Sequence, residues 1–175
     1  MKRAVWVLAL AGAVWGQTEA VEPTTLGGAA NVSQVAGKLI FAGQPDESAV
    51  KEAAARGAKV VINLRTPDEM AQVKFDEAKV AADSGMAYVT APMQGAAISE
   101  ADREKVFTML DEARKPDGKP VFLHCGTSNR VGYVWGLYQA SRHKLNVEDA
   151  VAQAKAAGMK SPALEKSLRE QLAAK

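Results

Sequence analysis

Two short, nearly unbroken apolar runs constrain this chain more than any other feature. They are Lys59-Val60-Val61-Ile62-Asn63-Leu64 and Pro120-Val121-Phe122-Leu123-His124. A strand that is apolar at successive positions has to be covered on both faces. Each run is flanked by segments with helical patterning. Pro45-Asp46-Glu47 opens a helix that stops at Gly57, and Thr66-Pro67-Asp68-Glu69 opens a second that ends near Ser84-Gly85. Ser99 is the predicted N-cap of a third helix, which ends before Pro116. Further helices are predicted over 130–142, 147–157 and 163–173. Val32–Val35 and Lys38–Ala42 read as a hairpin, and Met86–Ala91 as a third short strand. The alternation specifies an α/β fold with a mostly parallel central sheet flanked by helices.

The length, 175 residues, suits one domain, and no internal repeat or composition shift divides it. The domain is read as residues 32–175, preceded by a flexible leader at 21–31 that carries Pro23, Gly27 and Gly28. Residues 1–20 read as a secretory signal. Lys2 and Arg3 form the positive end, Ala4 to Val14 the apolar stretch, and cleavage falls after Gly16 or Ala20. The expected location is therefore periplasmic or secreted, with the membrane met only through that segment. The formal net charge is +2, and cleavage removes two basic residues and one acidic residue. Such a balance leaves no electrostatic footprint for nucleic acid. A single cysteine excludes an intramolecular disulfide. Only His124 and His143 are present, with no metal-ligand spacing, so neither a metal nor another cofactor is expected.

The chemistry concentrates where the second apolar run ends. His124-Cys125-Gly126-Thr127-Ser128-Asn129-Arg130 places a thiol at the carboxyl end of a buried strand and a short loop before a helix. Ligands of open α/β sheets bind at the carboxyl ends of the strands. The amides of Gly126, Thr127, Ser128 and Asn129, with the helix N-terminus, form an anion cradle. That positive end favours a thiolate. Arg130 offers a planar fork to an oxyanion. Cys125 and Arg130 are the predicted catalytic pair. A lone buried cysteine beside a solvated arginine is the bland alternative.

The segment resembles the phosphate-binding loop of cysteine-dependent protein phosphatases. More closely, the chain resembles the bacterial phosphatase-like domain found alone or joined to beta-lactamase-like sulfur dioxygenases. Phe41-Ala42-Gly43-Gln44-Pro45, Val61-Ile62-Asn63-Leu64-Arg65 and Tyr88-Val89-Thr90-Ala91-Pro92 support the likeness, over about residues 32 to 142. The resemblance implies a dual-specificity-phosphatase-like fold, with Cys125 as nucleophile and Arg130 as oxyanion ligand. The expected activity is hydrolysis of a phosphate ester, from a small molecule or a phosphoprotein, through a phosphocysteine.

Two departures keep alternatives open. Four residues separate Cys125 from Arg130 where the phosphatase pattern has five, and four resembles the rhodanese sulfurtransferases. Val131 stands where those phosphatases carry a hydroxyl, which leaves Thr127 or Ser128 to substitute. No acid lies in Pro92-Met93-Gln94-Gly95-Ala96-Ala97, the loop expected to hold a proton donor. Asp102 reads better as a helix-capping partner of Ser99. Sulfur transfer from thiosulfate through a Cys125 persulfide is the alternative enzyme, and a non-catalytic oxyanion-binding module is the third reading. His124, Arg65, Gln44 and Asp68 are the expected supporting residues. Asp68 and Glu69 both lie just beyond a strand's carboxyl end, within reach of the pocket, and both fit better as first-turn helix acids. Trp135 and Tyr138 read as core.

Overall fold

A computed structural model describes residues 19–174. The proposed signal segment falls almost wholly outside the described residues. Its elements in chain order are β1 (Val21–Pro23), β2 (Ser33–Val35), β3 (Leu39–Ala42), α1 (Glu47–Ala55), β4 (Val60–Asn63), α2 (Pro67–Met70), α3 (Glu77–Asp83), β5 (Ala87–Thr90), β6 (Met93–Gln94), β7 (Ala97–Ile98), α4 (Glu100–Ala113), β8 (Val121–His124), α5 (Asn129–His143), α6 (Val147–Ala156) and α7 (Pro162–Ala173).

Six strands form one sheet in the order β1-β2-β3-β8-β4-β5. The four strands β3, β8, β4 and β5 run parallel, and β1 and β2 add an antiparallel edge. Helices cover both faces, as in dual-specificity phosphatases. The pleat divides each inner strand between two cores. Leu39, Phe41, Ile62, Leu64, Val121 and Leu123 join the core beneath α4 to α7. Ile40, Ala42, Val61 and Phe122 join the core beneath α1 and α3. Both faces being apolar is why β4 and β8 read as unbroken runs.

Helix α5 is buried along most of its length, from Val131 to Gln139. Two glycines let α6 and α7 press against it. A Cβ at Gly132 would lie 2.4 Å from the Ala154 carbonyl oxygen, and one at Gly136 would lie 2.8 Å from Leu168. This packing brings the α6–α7 corner beside the start of α5.

Three expectations are corrected. Residues 21–31 belong to the fold rather than forming a flexible leader. Val21–Pro23 pairs with Ser33–Val35, Leu26 is fully buried, and the Gly27 amide donates to Glu52 Oε2 at 2.7 Å. The segment from Thr66 to Ser84 is two helices, not one. A Thr66–Glu69 capping box closes around the four-residue α2, and Asp76 caps α3 by accepting from the Lys79 amide. The stretch after β5 is not a plain loop. Met93–Gln94 turns at Gly95, whose φ is +57°, and pairs with Ala97–Ile98.

Because Leu26 anchors 21–31 against α1, Leu26→Ala should cost about 2–5 kcal/mol of unfolding free energy. Urea denaturation of residues 21–175 measures this. A loss below about 0.5 kcal/mol would show that the segment is peripheral.

Candidate active site

The loop between β8 and α5 turns within four residues. Ser128 carries the turn with φ +67°, the left-handed region that non-glycine residues seldom adopt. Packing holds it there. Ser128 Oγ donates to the Ala157 carbonyl at 3.0 Å, and Gly158 leaves room for it, since a Cβ there would lie 2.6 Å from Ser128 Oγ.

The loop carbonyls are engaged on the outer side. Gly126 O accepts from the Gln44 amide at 3.0 Å, and Thr127 O accepts from Asn31 Nδ2 at 3.2 Å. Asn129 Oδ1 accepts from the amides of Lys160 and Ser161 at 2.7 and 2.8 Å. The N-caps Asp46, Thr66, Asp76, Ser99, Asn146 and Ser161 all satisfy an amide with a side chain, whereas Ser128 does not. The first amide of α5 with a helical partner is Gly132, which donates to Ser128 O at 2.9 Å. The preceding first-turn amides therefore present positive charge at the loop. Cys125 sits just before that turn, fully buried.

Arg130 is fixed from one side. Its Nη1 donates to Met93 O at 2.6 Å and Glu69 Oε2 at 2.8 Å, and its Nη2 donates to Glu69 Oε1 at 2.6 Å. Among the described residues no group accepts from Nε. The Nε–Nη2 edge, with Nη2 3.6 Å from where a Gly126 Cβ would be, remains for an oxyanion. Burial works against the Arg130 charge, but Glu69 and the neighbouring Cys125 outweigh it and raise its pKa. Hydrogen bonding from Arg130 lowers the Glu69 carboxyl to about 2, so Glu69 is ionised at neutral pH and is no proton donor.

Gln44 and Arg65 lie at the same sheet edge. Arg65 donates to Gln44 Oε1 and to Glu69 O. Asp68 is exposed, with no hydrogen bond or ion pair among the described residues, and its neighbour Glu69 is the acid that meets Arg65 and Arg130. Glu69, which by sequence lies within reach of the pocket, is the N3 residue of a capping box and also reaches Arg130. Of the two loop hydroxyls, only that of Thr127 keeps a proton to donate in place of the one missing at Val131. Ser128 is held by Ala157, and Thr127 Oγ1 accepts from Asn129 Nδ2 at 2.9 Å.

His124 is fully buried, and Glu77 Oε1 approaches its Nε2 to 2.5 Å. Glu77, which by sequence falls inside the single helix read from Thr66 to Ser84, opens α3 and also accepts from Gln44 Nε2 at 3.0 Å. Burial, with Glu77 nearby, pushes the Tyr88 phenol up to about 12. Asp102 is the partner of the α4 N-cap Ser99, whose hydroxyl donates to it at 2.8 Å, and it pairs with Lys105, whose hydrogen bond lowers its pKa. Trp135 and Tyr138 are fully buried core residues. Beside Arg130 opens a cleft of about 520 Å³, lined by Thr66, Gln94, Ala96, Asn129, Ser161 and Leu164.

The Glu69–Arg130 pair makes stability pH-dependent. The folded-state pKa of Glu69, about 2, lies below its ordinary 4.5. Its contribution is therefore complete above pH 4.5 and is lost as pH falls toward 2. Wild type should exceed Glu69→Gln in unfolding free energy by a constant margin above pH 5. The margin should shrink between pH 4.5 and 2 in denaturation at stepped pH, and a pH-independent margin refutes the pairing.

Comparison with known proteins agrees with the fold. A solved structure from Shewanella putrefaciens CN-32, described as a candidate phosphatase (DUF442), is 27% identical, with a TM-score of 0.63 over 84% of this chain and 91% of that one. Two more distant structures share the fold. A variant of P. aeruginosa TpbA in complex with phosphotyrosine is 15% identical, with a TM-score of 0.56 over 82% of this chain and 90% of that one. Kinase associated phosphatase with its catalytic cysteine replaced by serine is 15% identical, with a TM-score of 0.67 over 87% and 99%. No curated protein matches. The model of the beta-lactamase hydrolase-like protein, phosphatase-like domain, matches residues 31–142, and the chain belongs to that phosphatase-like family.

Proposed function

We propose that this phosphatase-like protein hydrolyses phosphate esters through Cys125. The observation that carries the proposal is the placement of Cys125 directly before the uncapped first turn of α5, with the Gly126 and Thr127 carbonyls bonded away from it. The Cys125 thiolate attacks phosphorus, an S–P bond forms and the ester P–O bond breaks. The α5 amides and the Nε–Nη2 edge of Arg130 stabilise the equatorial oxygens. Water then attacks the phosphocysteine, which releases phosphate and restores the thiolate.

No carboxylic acid is poised to protonate the leaving oxygen. Glu69 is held ionised, Asp102 is tied to Lys105, and residues 92–97 contain no acid. The substrate is therefore an ester of an acidic hydroxyl, such as an aryl phosphate. The phosphotyrosine bound by the distant TpbA structure is an ester of this kind. The segment Lys2 to Ala20 directs export in this reading, which places the enzyme in the periplasm or outside the cell.

The four-residue spacing of Cys125 and Arg130 favours a second reading. Here Cys125 takes the outer sulfur of thiosulfate, and sulfite leaves without needing a proton.

The test assays residues 21–175 for phosphate released from aryl and alkyl phosphates, and for thiocyanate formed from thiosulfate and cyanide. Aryl phosphate turnover should be abolished in Cys125→Ser. It should fall about 10²–10³-fold in Arg130→Lys, which loses the planar fork. Alkyl phosphates should be poor substrates. Cys125-dependent thiocyanate without phosphate would replace hydrolysis by sulfur transfer, and neither product would leave a binding module.

A further inference from the structure

The two residues flanking Cys125 are both tied to one side chain on the opposite face of the sheet. Glu77, at the start of α3, is buried with a side-chain exposure of 1%, and His124 is buried completely. Glu77 Oε1 lies 2.5 Å from His124 Nε2, a close polar contact that does not meet hydrogen-bond geometry. Its Oε2 accepts from Gln44 Nε2 at 3.0 Å, and the Gln44 backbone amide donates to Gly126 O at 3.0 Å. One carboxylate thus grips residue 124 directly and residue 126 through Gln44. A second branch runs outward, because Gln44 Oε1 accepts from Arg65, and Arg65 donates to the carbonyl of Glu69, the residue that orients Arg130.

A buried carboxylate is stable only where partners compensate its lost hydration. Nothing about covering a sheet with a helix requires one, and α3 supplies apolar cover from Ala81 on the same face. We propose that Glu77 is a positioning residue for the nucleophile, fixing the peptides on either side of Cys125 through His124 and Gln44. Removing it loosens the aim of the thiol while leaving the α5 amides and the Arg130–Glu69 pair in place to bind the oxyanion.

The proposal rests on the phosphatase reading for its kinetic readout but not for its structural one. The experiment compares Glu77→Gln and Glu77→Met with Val50→Ala, a buried α1 residue in the same core that has no polar side-chain atom to join the loop's hydrogen bonds. Kinetics on an aryl phosphate and hydrogen exchange at the Gln44 and Cys125 amides are both measured. Those amides donate to Gly126 O and to Ala42 O at 3.0 and 3.3 Å. In Glu77→Met, kcat should fall about 100-fold, with KM changed less than about threefold, because misplacing a reacting atom by an ångström has an effect of that size. Glu77→Gln, which keeps one acceptor, should fall about tenfold. Both amides should lose protection in Glu77→Met and keep it in Val50→Ala, even where Val50→Ala lowers Tm as much.

Wild-type kcat and protection in a folded Glu77→Met would overturn the proposal. So would equal losses in Val50→Ala, which would make Glu77 a stability residue only. If wild type releases no phosphate, the phosphatase reading fails and the exchange comparison alone decides the role of Glu77.

Discussion

The left-handed backbone of Ser128 is the constraint on which the site depends. A strand that enters a parallel sheet must leave it through a turn, and here the turn from β8 to α5 takes only four residues. A positive φ makes that possible, at a strain of order 1–3 kcal/mol. The strain is held by the α6–α7 corner, where Ala157 takes the Ser128 hydroxyl and Gly158 leaves the space it fills. The same side chain that ordinarily caps a helix is thereby turned away from its own first turn. Fold stability and an open anion site come from one geometric choice, and the close packing of α5 at Gly132 and Gly136 brings the corner near enough to enforce it.

Charge around the loop is arranged in layers. Arg130 is half consumed by structure, because Glu69 and Met93 fix one side of the guanidinium and leave the other. A free arginine would lose rotamer entropy on binding an anion, whereas this one has already lost it. Glu69 brings negative charge to the site, yet it binds end-on across Nη1 and Nη2 and leaves the Nε hydrogen and the second Nη2 hydrogen for another acceptor. Its low pKa keeps it there through the neutral range. Beneath this layer Glu77 and His124 place a second polar contact inside the sheet, where the expected residue type is apolar. The polar layer is confined to the carboxyl ends of β3, β4 and β8, as expected for a parallel sheet that binds at that edge.

The sequence was legible where local pattern and tertiary role coincide. Val60 to Ile62 and Val121 to Leu123 are apolar at successive positions because both faces of the sheet are covered, and that signal survives without any knowledge of neighbours. Ser99 announces α4 by its cap. The strand–Cys–loop–Arg segment is contiguous, so its geometry follows from its order. Legibility failed where the determining partner is distant. Val21–Pro23 is a three-residue edge strand with one partner and two exposed residues, and it carries no alternation to read. The two-residue strands β6 and β7 are too short for a period. Glu69 and Glu77 both sit in first helical turns, where an acid is ordinary. Their partners lie 61 residues away at Arg130 and 33 residues away at Gln44. Asp68 and Glu69 differ by one position, and only the direction of the short helix α2 decides which of them faces the site.

The spacing between Cys125 and Arg130 and the lack of a proton donor are consistent with one another. A thiolate expels a leaving oxygen of low basicity without help, so an acid on the 92–97 segment is unnecessary for aryl esters. That segment instead forms the β6–β7 hairpin and supplies Met93 O to Arg130. A carbonyl that orients the guanidinium thus stands where an acid was expected. The site has kept the parts that stabilise charge on an oxyanion and carries none that manage the leaving group. In the proposed hydrolysis, selectivity follows from leaving-group acidity and from the cleft of about 520 Å³ beside Arg130, whose charged lining is Glu69 and Arg130. No aromatic side chain lines that cleft to grip a ring, so the oxyanion itself provides most of the recognition.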